Sequence, residues 1–309
     1  MRKEIRALAA VLGTALLAAT AWAQTVEPSP DTSEAKDATP SRAPEGRLII
    51  NLPSVEVPPP GTLTFLITHR FASPVQGSSI HNLYSLSGNA DIGLGLGYVP
   101  LKNLDVSFYR SSEIEVYEVA AKYRAYSSGL FAASLRVGGD WRTEQGVQNQ
   151  SSFFAQGILA LSLGSRVRIS AVPTYLSRTS AELRVFVQPP AHDPSCVTPV
   201  PPRTLFLCSG LYDRIFNVPV AVSLAVTRSI IVHGEVTPRS GHADSLGTGW
   251  AVSVEKTVLR HRFSFSAGNQ RETTVDRYTA PLLPDALFPG RSIYLGFNIT
   301  RDWNFKSQH

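Results

Sequence analysis

The chain has 309 residues, of which 43% are hydrophobic and 17% charged, a composition typical of one large folded domain with irregular segments. The net charge is +5, without a Lys/Arg cluster or an aromatic RNA-binding motif. This weak surplus is that of an ordinary solvated exterior, so we expect no nucleic-acid partner.

The first 23 residues have the three parts of a secretory signal peptide. Three basic residues supply the positive start, namely Arg2, Lys3 and Arg6. An apolar run from Ala7 to Ala18 follows, and Ala21-Trp22-Ala23 offers a small-residue cleavage site before Gln24. The apolar run is too short to span a bilayer. We therefore expect residues 1–23 to be cleaved after export.

Residues 24–60 form a separate N-terminal segment. From Gln24 to about Glu45 the chain is rich in Ser, Thr, Pro, Ala and acidic residues, which predicts a flexible periplasmic leader. Leu48-Ile49-Ile50 and Val55 then restore apolar side chains before a run of three prolines. This stretch could pack against the base of a barrel or enter its lumen, and the pattern leaves both open.

Residues 61–305 contain segments of about ten residues in which apolar and polar side chains alternate with period two. For example, Ile92, Leu94 and Leu96 alternate with Asp91 and with glycines. The pattern predicts an all-β fold, an antiparallel up-and-down transmembrane β-barrel of about twelve strands. The predicted strands are Gly61–Phe71, Asn89–Val99, Leu104–Tyr109, Tyr117–Arg124, Phe131–Asp140, Phe153–Leu163, Arg166–Leu176, Arg214–Thr227, Ser229–Arg239, Gly247–Thr257, Arg260–Gly268 and Arg291–Arg301.

The connections between these strands alternate between long and short. Most odd-numbered strands are followed by long connections, of which Ser177 to Asp213 is the longest. Even-numbered strands are followed by short turns such as Gly164-Ser165. Short periplasmic turns and long extracellular loops on an even-stranded barrel give this pattern. The loop at 177–213 is the best candidate for contact with a ligand or a partner.

Aromatic side chains fall near both ends of the predicted strands, on the outward parity. Near the periplasmic ends these are Tyr98, Tyr123 and Trp303, and near the extracellular ends they are Trp141, Tyr175 and Trp250. Two belts of amphipathic rings are typical of membrane interfaces. Such rings could also cap a soluble core.

Several short motifs resemble a known family. They are Ser54-Val55-Glu56, Gly61-Thr62-Leu63-Thr64-Phe65, Asn89 to Tyr98, and Lys122-Tyr123-Arg124. Over these stretches the chain resembles a bacterial β-barrel family catalogued as a domain of unknown function, number 5777. The resemblance implies a barrel of the outer membrane or envelope and carries no catalytic residue.

The last predicted strand also resembles that of outer-membrane barrels. Ile293, Leu295, Phe297 and Ile299 alternate, and two aromatic residues continue the parity near the end. Such a strand is the signal that the barrel-assembly machinery reads. We therefore expect that machinery and outer-membrane lipid as partners.

Cys196 and Cys208 lie in a Pro-rich part of the long loop. In an oxidising compartment such a pair favours a disulfide, which would stabilise the fold by about 3 kcal/mol. A redox or metal role is less favoured, because the CxxC spacing and clustered His ligands are missing.

The predicted inward parity carries charges of both signs. The candidate lumen-lining residues are Asp91, Asp105, Glu118, Lys122, Arg124, Arg136, Asp140, Arg166, Arg168, His233, Glu235, Glu255 and Arg262. They could form a ladder of ion pairs that fills the lumen, or they could line an aqueous path. The ladder is favoured, because mixed signs cancel a selective potential.

The histidines are the residues on which we test the hypothesis that the protein is an enzyme. His69 and His261 share the outward parity near opposite ends, and His233 faces inward beside Glu235. The sequence contains no nucleophile elbow, HExxH or other metal-ligand spacing, so we expect no catalytic, metal or cofactor site. Glycines 93, 95 and 97 match no nucleotide motif and are better explained as strand glycines that permit curvature or leave room for lumen side chains.

The leading hypothesis is a porin-like barrel of the cell envelope, acting as a passive channel or as a binding or structural component. The alternatives are an outer-membrane enzyme acting on lipid and a soluble periplasmic lipocalin-like carrier.

Overall fold

The structure is a computed structural model. It describes residues 45–76, 79, 86, 89–112, 115–143, 150–178, 183–186, 196–197, 206–209, 213–238, 248–279 and 292–305. The predicted signal peptide and the leader as far as residue 44 lie outside these residues, and both stay predictions. Within the described residues, no helix has the length and apolar character needed to cross a membrane.

Strands make up most of the described chain. In chain order they are β1 (Thr62–Phe71), β2 (Ala90–Leu101), β3 (Leu104–Ser111), β4 (Val116–Ser127), β5 (Phe131–Arg142), β6 (Gln150–Leu163), β7 (Val167–Ala171), β8 (Thr174–Arg178), β9 (Leu183–Phe186), β10 (Cys196–Val197), β11 (Phe206–Ser209), β12 (Asp213–Asn217), β13 (Val220–Ala225), β14 (Ile230–Thr237), β15 (Gly249–Val258), β16 (His261–Gly268) and β17 (Tyr294–Asn304). One short helix, α1 (Val275–Tyr278), lies between β16 and β17.

The large sheet is antiparallel and closed. β1 pairs with both β2 and β17, which closes the sheet. β6 pairs with both β7 and β8, β7 pairs on its other side with β13, and β8 with β12. β7 and β8 lie end to end in the barrel wall, as do β12 and β13. We call each such continuous line of the wall a stave, so the fourteen strands of this sheet form twelve staves. The predicted twelve-stranded antiparallel barrel is confirmed.

Two prolines account for the divided staves. Pro173 separates β7 from β8, and Pro219 precedes β13. A proline has no backbone N–H to donate to the ladder. The pairing nevertheless continues across the break, because the Val172 amide donates to the Pro219 carbonyl at 2.8 Å.

Burial alternates along the staves as the period-two pattern predicts. On β2, Ile92, Leu94 and Leu96 are 42–50% exposed, whereas Asp91 is 3% exposed. Because a row of large apolar side chains on the outside is costly in water, this face is suited to acyl chains. Polar and charged side chains face the interior.

Connection length sorts largely by the end of the barrel, and the short connection 112–115 between β3 and β4 is an exception. The turns 102–103, 164–166 and 259–260 lie at the end that holds the start of β1 and the end of β17. The long connection between β8 and β12 lies at the other end. Part of it forms a small sheet in the order β10-β11-β9, and the backbone register places Cys196 opposite Cys208.

The interior of the barrel is occupied by two described segments of the chain. The N-terminal plug, residues 45–60, precedes β1, and the inner loop, residues 269–279, contains α1. Plug residues Ile49, Ile50 and Leu52 are at most 1% exposed. They join an apolar cluster that includes residues of the wall and of α1, among them Phe154, Ile158, Leu176, Ile215, Val275 and Tyr278.

Placing residues 45–60 in the lumen resolves the alternative that the sequence left open for this stretch. The chain leaves the plug at Gly61, whose φ of 82° turns it into β1. The Gly61 amide donates to the Val99 carbonyl at 2.8 Å, so the junction is fixed to the wall. Apolar side chains of the plug are buried in the lumen because the wall offers them inward-facing Phe154 and Ile158.

The lipid-facing assignment predicts a depth-dependent cost of charge. Leu96→Lys, in the middle of β2, is expected to destabilise the folded barrel by about 2–4 kcal/mol, and Leu101→Lys, at the strand end, by about 0–1 kcal/mol. Equilibrium unfolding in lipid vesicles measures both. Equal costs at the two positions would contradict the assignment.

The opposed cysteines predict a disulfide between Cys196 and Cys208. Digestion of the oxidised protein without reductant should release one linked peptide that separates into two on reduction, as mass spectrometry will show. Two free thiols in protein purified from an oxidising compartment would contradict this prediction.

Candidate functional site

Glu235 of β14 holds the plug through its backbone. Its carboxylate accepts hydrogen bonds from three consecutive amides, those of Ile50 at 2.7 Å, Asn51 at 3.0 Å and Leu52 at 3.0 Å. Asn298 of β17 donates in turn to the Ile50 carbonyl at 3.0 Å. Amides of an irregular segment inside a barrel need such partners, because water is largely excluded. The carboxylate therefore acts as a clamp on residues 50–52.

Plug carbonyls receive donors from the opposite side of the wall. Lys122 of β4 donates to the carbonyl of Ser54 at 3.1 Å and to that of Glu56 at 2.6 Å. Ser134 of β5 donates to the Val55 carbonyl at 2.9 Å. Wall and plug are thus complementary, with acceptors facing amides and donors facing carbonyls.

The acidic side chains of the plug form ion pairs with wall arginines. Arg168 of β7 lies 2.6 Å from Glu56 and 3.2 Å from Glu45, measured between nitrogen and oxygen. Arg124 of β4 lies 3.3 Å from the other Glu56 oxygen. Charge-assisted contacts are stronger than neutral ones, so Glu56 fixes the plug near the short-turn end.

Glycines on β2 make room for large side chains in the lumen. Arg47 of the plug lies against Gly97 and pairs with Asp105. A Cβ at Gly97 would overlap the Arg47 guanidinium, and one at Gly93 would overlap the Tyr109 hydroxyl. The sequence offered curvature or room for lumen side chains as explanations of these glycines, and this geometry supports the second.

The inner loop is held by the same kind of contact. The Val275 amide donates to Glu118 of β4 at 3.3 Å, and the Asp276 amide donates to Asp140 of β5 at 3.2 Å. Wall carboxylates again accept hydrogen bonds from the backbone amides of a segment that enters the lumen. Acidic residues of the wall therefore serve both segments.

Tyr278 anchors the end of α1. Its hydroxyl accepts from Gln156 of β6 at 2.8 Å, and Gln270 donates to its carbonyl at 3.1 Å. Burial raises the pKa of Tyr278, so the phenol stays neutral and can act as donor or acceptor. Before α1 the loop is bound by Tyr109, whose hydroxyl donates to Thr273 at 2.7 Å.

The sequence-predicted lumen residues lie mainly on the inner face. Buried there are Asp91, Asp105, Glu118, Lys122, Arg136, Asp140, His233, Glu235 and Glu255, whereas Arg124, Arg168 and Arg262 are half-buried. Arg166 is the exception and is exposed, because it belongs to the turn before β7 rather than to a strand. The contacts join most of these residues to the plug or inner loop, while Glu255 and Arg262 lie 3.7 Å apart on the wall.

The predicted belt residues lie on the outer parity. Tyr98, Tyr123, Trp141 and Tyr175 are 41–51% exposed, and Trp250 and Trp303 are half-buried. The register brings Leu63 between Tyr98 and Trp303, so these two rings share one end of the barrel. Their contact with a membrane interface stays a prediction.

The histidines are dispersed. His69 stacks on Phe297 with ring centroids 4.7 Å apart, and the half-buried His261 bonds to Arg301 at 3.0 Å. His233 lies 2.9 Å from the Ser223 hydroxyl, but both residues are at most 2% exposed inside the lumen. Within the described ranges, no group of three or more His, Cys, Asp or Glu is arranged to hold a metal ion.

Sequence reasoning missed the inner loop and the apolar part of the lumen. Phe154 and Ile158 sit on the inner parity of β6, where a water-filled barrel would place polar groups. The signal was present in β6, where Phe154 and Ile158 interrupt the polar residues at the even positions. Large apolar side chains on the inner parity indicate that something apolar lies inside.

Together, the alternating wall and the occupied interior define a membrane β-barrel that is filled by its own chain. The chain belongs to the family described as membrane bound beta barrel domain (DUF5777), whose model matches residues 45–303. The match begins where the plug begins, so the plug is part of the family domain.

The solved structures that this chain resembles include a porin, an outer-membrane channel and a phospholipase. The NanC porin is 8% identical and the alignment covers 77% of this chain and 98% of that one, with a TM-score of 0.46. An outer-membrane channel from Pseudomonas putida F1 is 11% identical, with coverages of 81% and 98% and a TM-score of 0.44. Outer membrane phospholipase A from Escherichia coli is 9% identical, with coverages of 82% and 96% and a TM-score of 0.42. The search of curated proteins found no match.

The clamp predicts a change in plug accessibility. Glu235→Gln removes the charge that holds three amides of the plug. Because charged hydrogen bonds are worth about 1.5–3 kcal/mol, the population of molecules with a displaced plug should rise about 10- to 100-fold. Trypsin cleavage after Arg47 requires displacement, and the fragment that starts at Leu48 measures it. Glu115→Gln, the same change at a half-exposed pair with Arg110 in a turn, is the matched control. Equal cleavage in both variants would contradict the clamp.

Proposed function

We propose that the protein is a channel of the bacterial outer membrane that is closed at rest by its own N-terminal plug and opens when the plug is displaced. Family membership supports a membrane location, and the predicted export signal supports the outer membrane. The observation that carries the proposal is the set of polar contacts that holds residues 45–56 in the lumen.

Those contacts are of a kind that water can replace. Glu235, Lys122 and Arg168 bind the plug by hydrogen bonds and ion pairs to groups that are well solvated when released. A displaced plug leaves a wall of mixed charge that water can wet. The apolar cluster opposes release, since Ile49 and Ile50 lose their contacts with the wall.

Displacement has a natural direction. The plug is fixed at Gly61, at the barrel end with the short turns, and residues 24–44 precede it. A partner that binds this leader in the periplasm could draw the plug out of the lumen while Gly61 serves as the hinge. The mixed charge of the wall argues for weak selection among solutes by charge.

A second candidate is a non-conducting component that binds partners or organises the envelope. The inner loop favours it, because Glu118 and Asp140 hold a second segment across the lumen. The connection at 177–213 would then supply the contact surface. Among the described residues, no observation favours the lipid-acting enzyme or the soluble carrier.

Conductance in planar bilayers separates the two candidates. The native protein should be closed for most of the record, and Glu235→Gln should raise the open fraction at least about tenfold, while Glu115→Gln leaves it unchanged. A large steady conductance of the native protein would contradict closure at rest. A variant that trypsin cleaves after Arg47 but that conducts no ions would favour the non-conducting component.

A further inference from the structure

A cavity of about 70 Å³ remains between the plug, the inner loop and staves β1 to β5. The glycine run on β2 helps to create it, because Gly95 and Gly97 place no side chain in this space. A water molecule needs about 10–15 Å³ of such space, so the cavity accepts a small ion together with water.

Cations outnumber carboxylates among the lining residues. The charged residues that line the cavity are Arg47, Lys122, Arg136, Asp105 and Glu118. Arg47 pairs with Asp105, and Arg136 pairs with Glu118. Lys122 is 4.0 Å from Asp105, which is already paired, and otherwise binds plug carbonyls. Its positive charge is thus incompletely balanced.

Arg47 adds donors that lack acceptors. Its side chain is 10% exposed, and its Nε and Nη2 atoms have no hydrogen-bond partner among the described residues. Asp302 is bonded to Thr64 of the lining at 2.6 Å but does not itself line the cavity. A buried guanidinium with two free donors, beside an excess cation, favours a negative ligand over water alone.

We propose that this cavity binds a small monovalent anion, of the size of chloride or formate, between the plug and the wall. The anion accepts hydrogen bonds from Arg47 after a small movement of its side chain and balances the charge of Lys122. Both cations contact the plug or belong to it, so the bound anion stabilises the closed barrel. The proposal depends on the closed structure and not on whether the barrel conducts.

Thermal unfolding of the folded barrel in detergent tests the site. Sodium gluconate, whose anion is too large for the cavity, is replaced stepwise by sodium chloride or sodium formate at constant ionic strength. The unfolding midpoint of the native protein should rise and then saturate, as binding to the folded state requires. No difference between gluconate and the small anions would overturn the proposal.

Variants separate the site from a general effect of salt. Arg47→Gln should raise the half-saturating chloride concentration about tenfold or abolish saturation, because a charged donor is lost. Arg168→Gln is the matched control, since Arg168 also pairs with the plug but does not line the cavity. An equal loss of saturable stabilisation by chloride in both variants would show that chloride acts only through anchoring of the plug, and it would refute the site.

Asp105→Asn provides a readout that plug anchoring would not give. Removing the lining carboxylate that competes for Arg47 should lower the half-saturating chloride concentration, even if the variant unfolds at a lower temperature. An unchanged or higher concentration would contradict the proposal. Because unfolding and conductance are separate measurements, a closed barrel that binds chloride but never conducts would refute only the channel.

Discussion

An irregular segment inside a barrel brings its own unpaired amides and carbonyls, and the rest of this structure depends on how the wall satisfies them. In a strand the ladder provides the partners, but the plug has no ladder. Glu235 accepts hydrogen bonds from three consecutive plug amides, and Lys122 donates hydrogen bonds to two plug carbonyls. The charges of the wall are therefore explained largely by the backbone they face.

The contacts between wall and plug give the mixed charges of the lumen a different explanation from those based on the sequence. A ladder of wall–wall ion pairs and an aqueous path were the two sequence-based interpretations. Arg136 with Glu118 and Arg262 with Glu255 are pairs of the first kind. Glu235, Asp140, Lys122 and Arg168 instead bind segments that enter the lumen. The interior is filled, but mainly by the chain's own segments.

Much of the fold follows from the sequence alone. Alternation on β2, the short turns and the closing strand β17 are local patterns that depend on period two and turn length, so they can be recognised without coordinates. The divided staves at Pro173 and Pro219 changed no register, so the strand count was unaffected. Arg166 was misplaced because strand ends are the least determined part of such a pattern.

The site could be predicted only in part. Inward parity identified Glu235 and Lys122, but not their partners, because the contact between Glu235 and Ile50 joins residues 185 positions apart in the chain. The plug shows no period-two alternation of apolar and polar residues that would indicate which strands of the wall it contacts. Its apolar residues and the inward-facing Phe154 and Ile158 of β6 are complementary signals, and neither alone indicates which segment fills the lumen.

Hydrogen exchange of the backbone amides at Ile50, Asn51 and Leu52 tests the central claim most directly. If Glu235 clamps these amides inside the closed barrel, they should exchange orders of magnitude more slowly than those of an unstructured chain and lose this protection in Glu235→Gln. Exchange at the rate of an unstructured chain in the native protein would show that the plug does not occupy the lumen, and the account would fail.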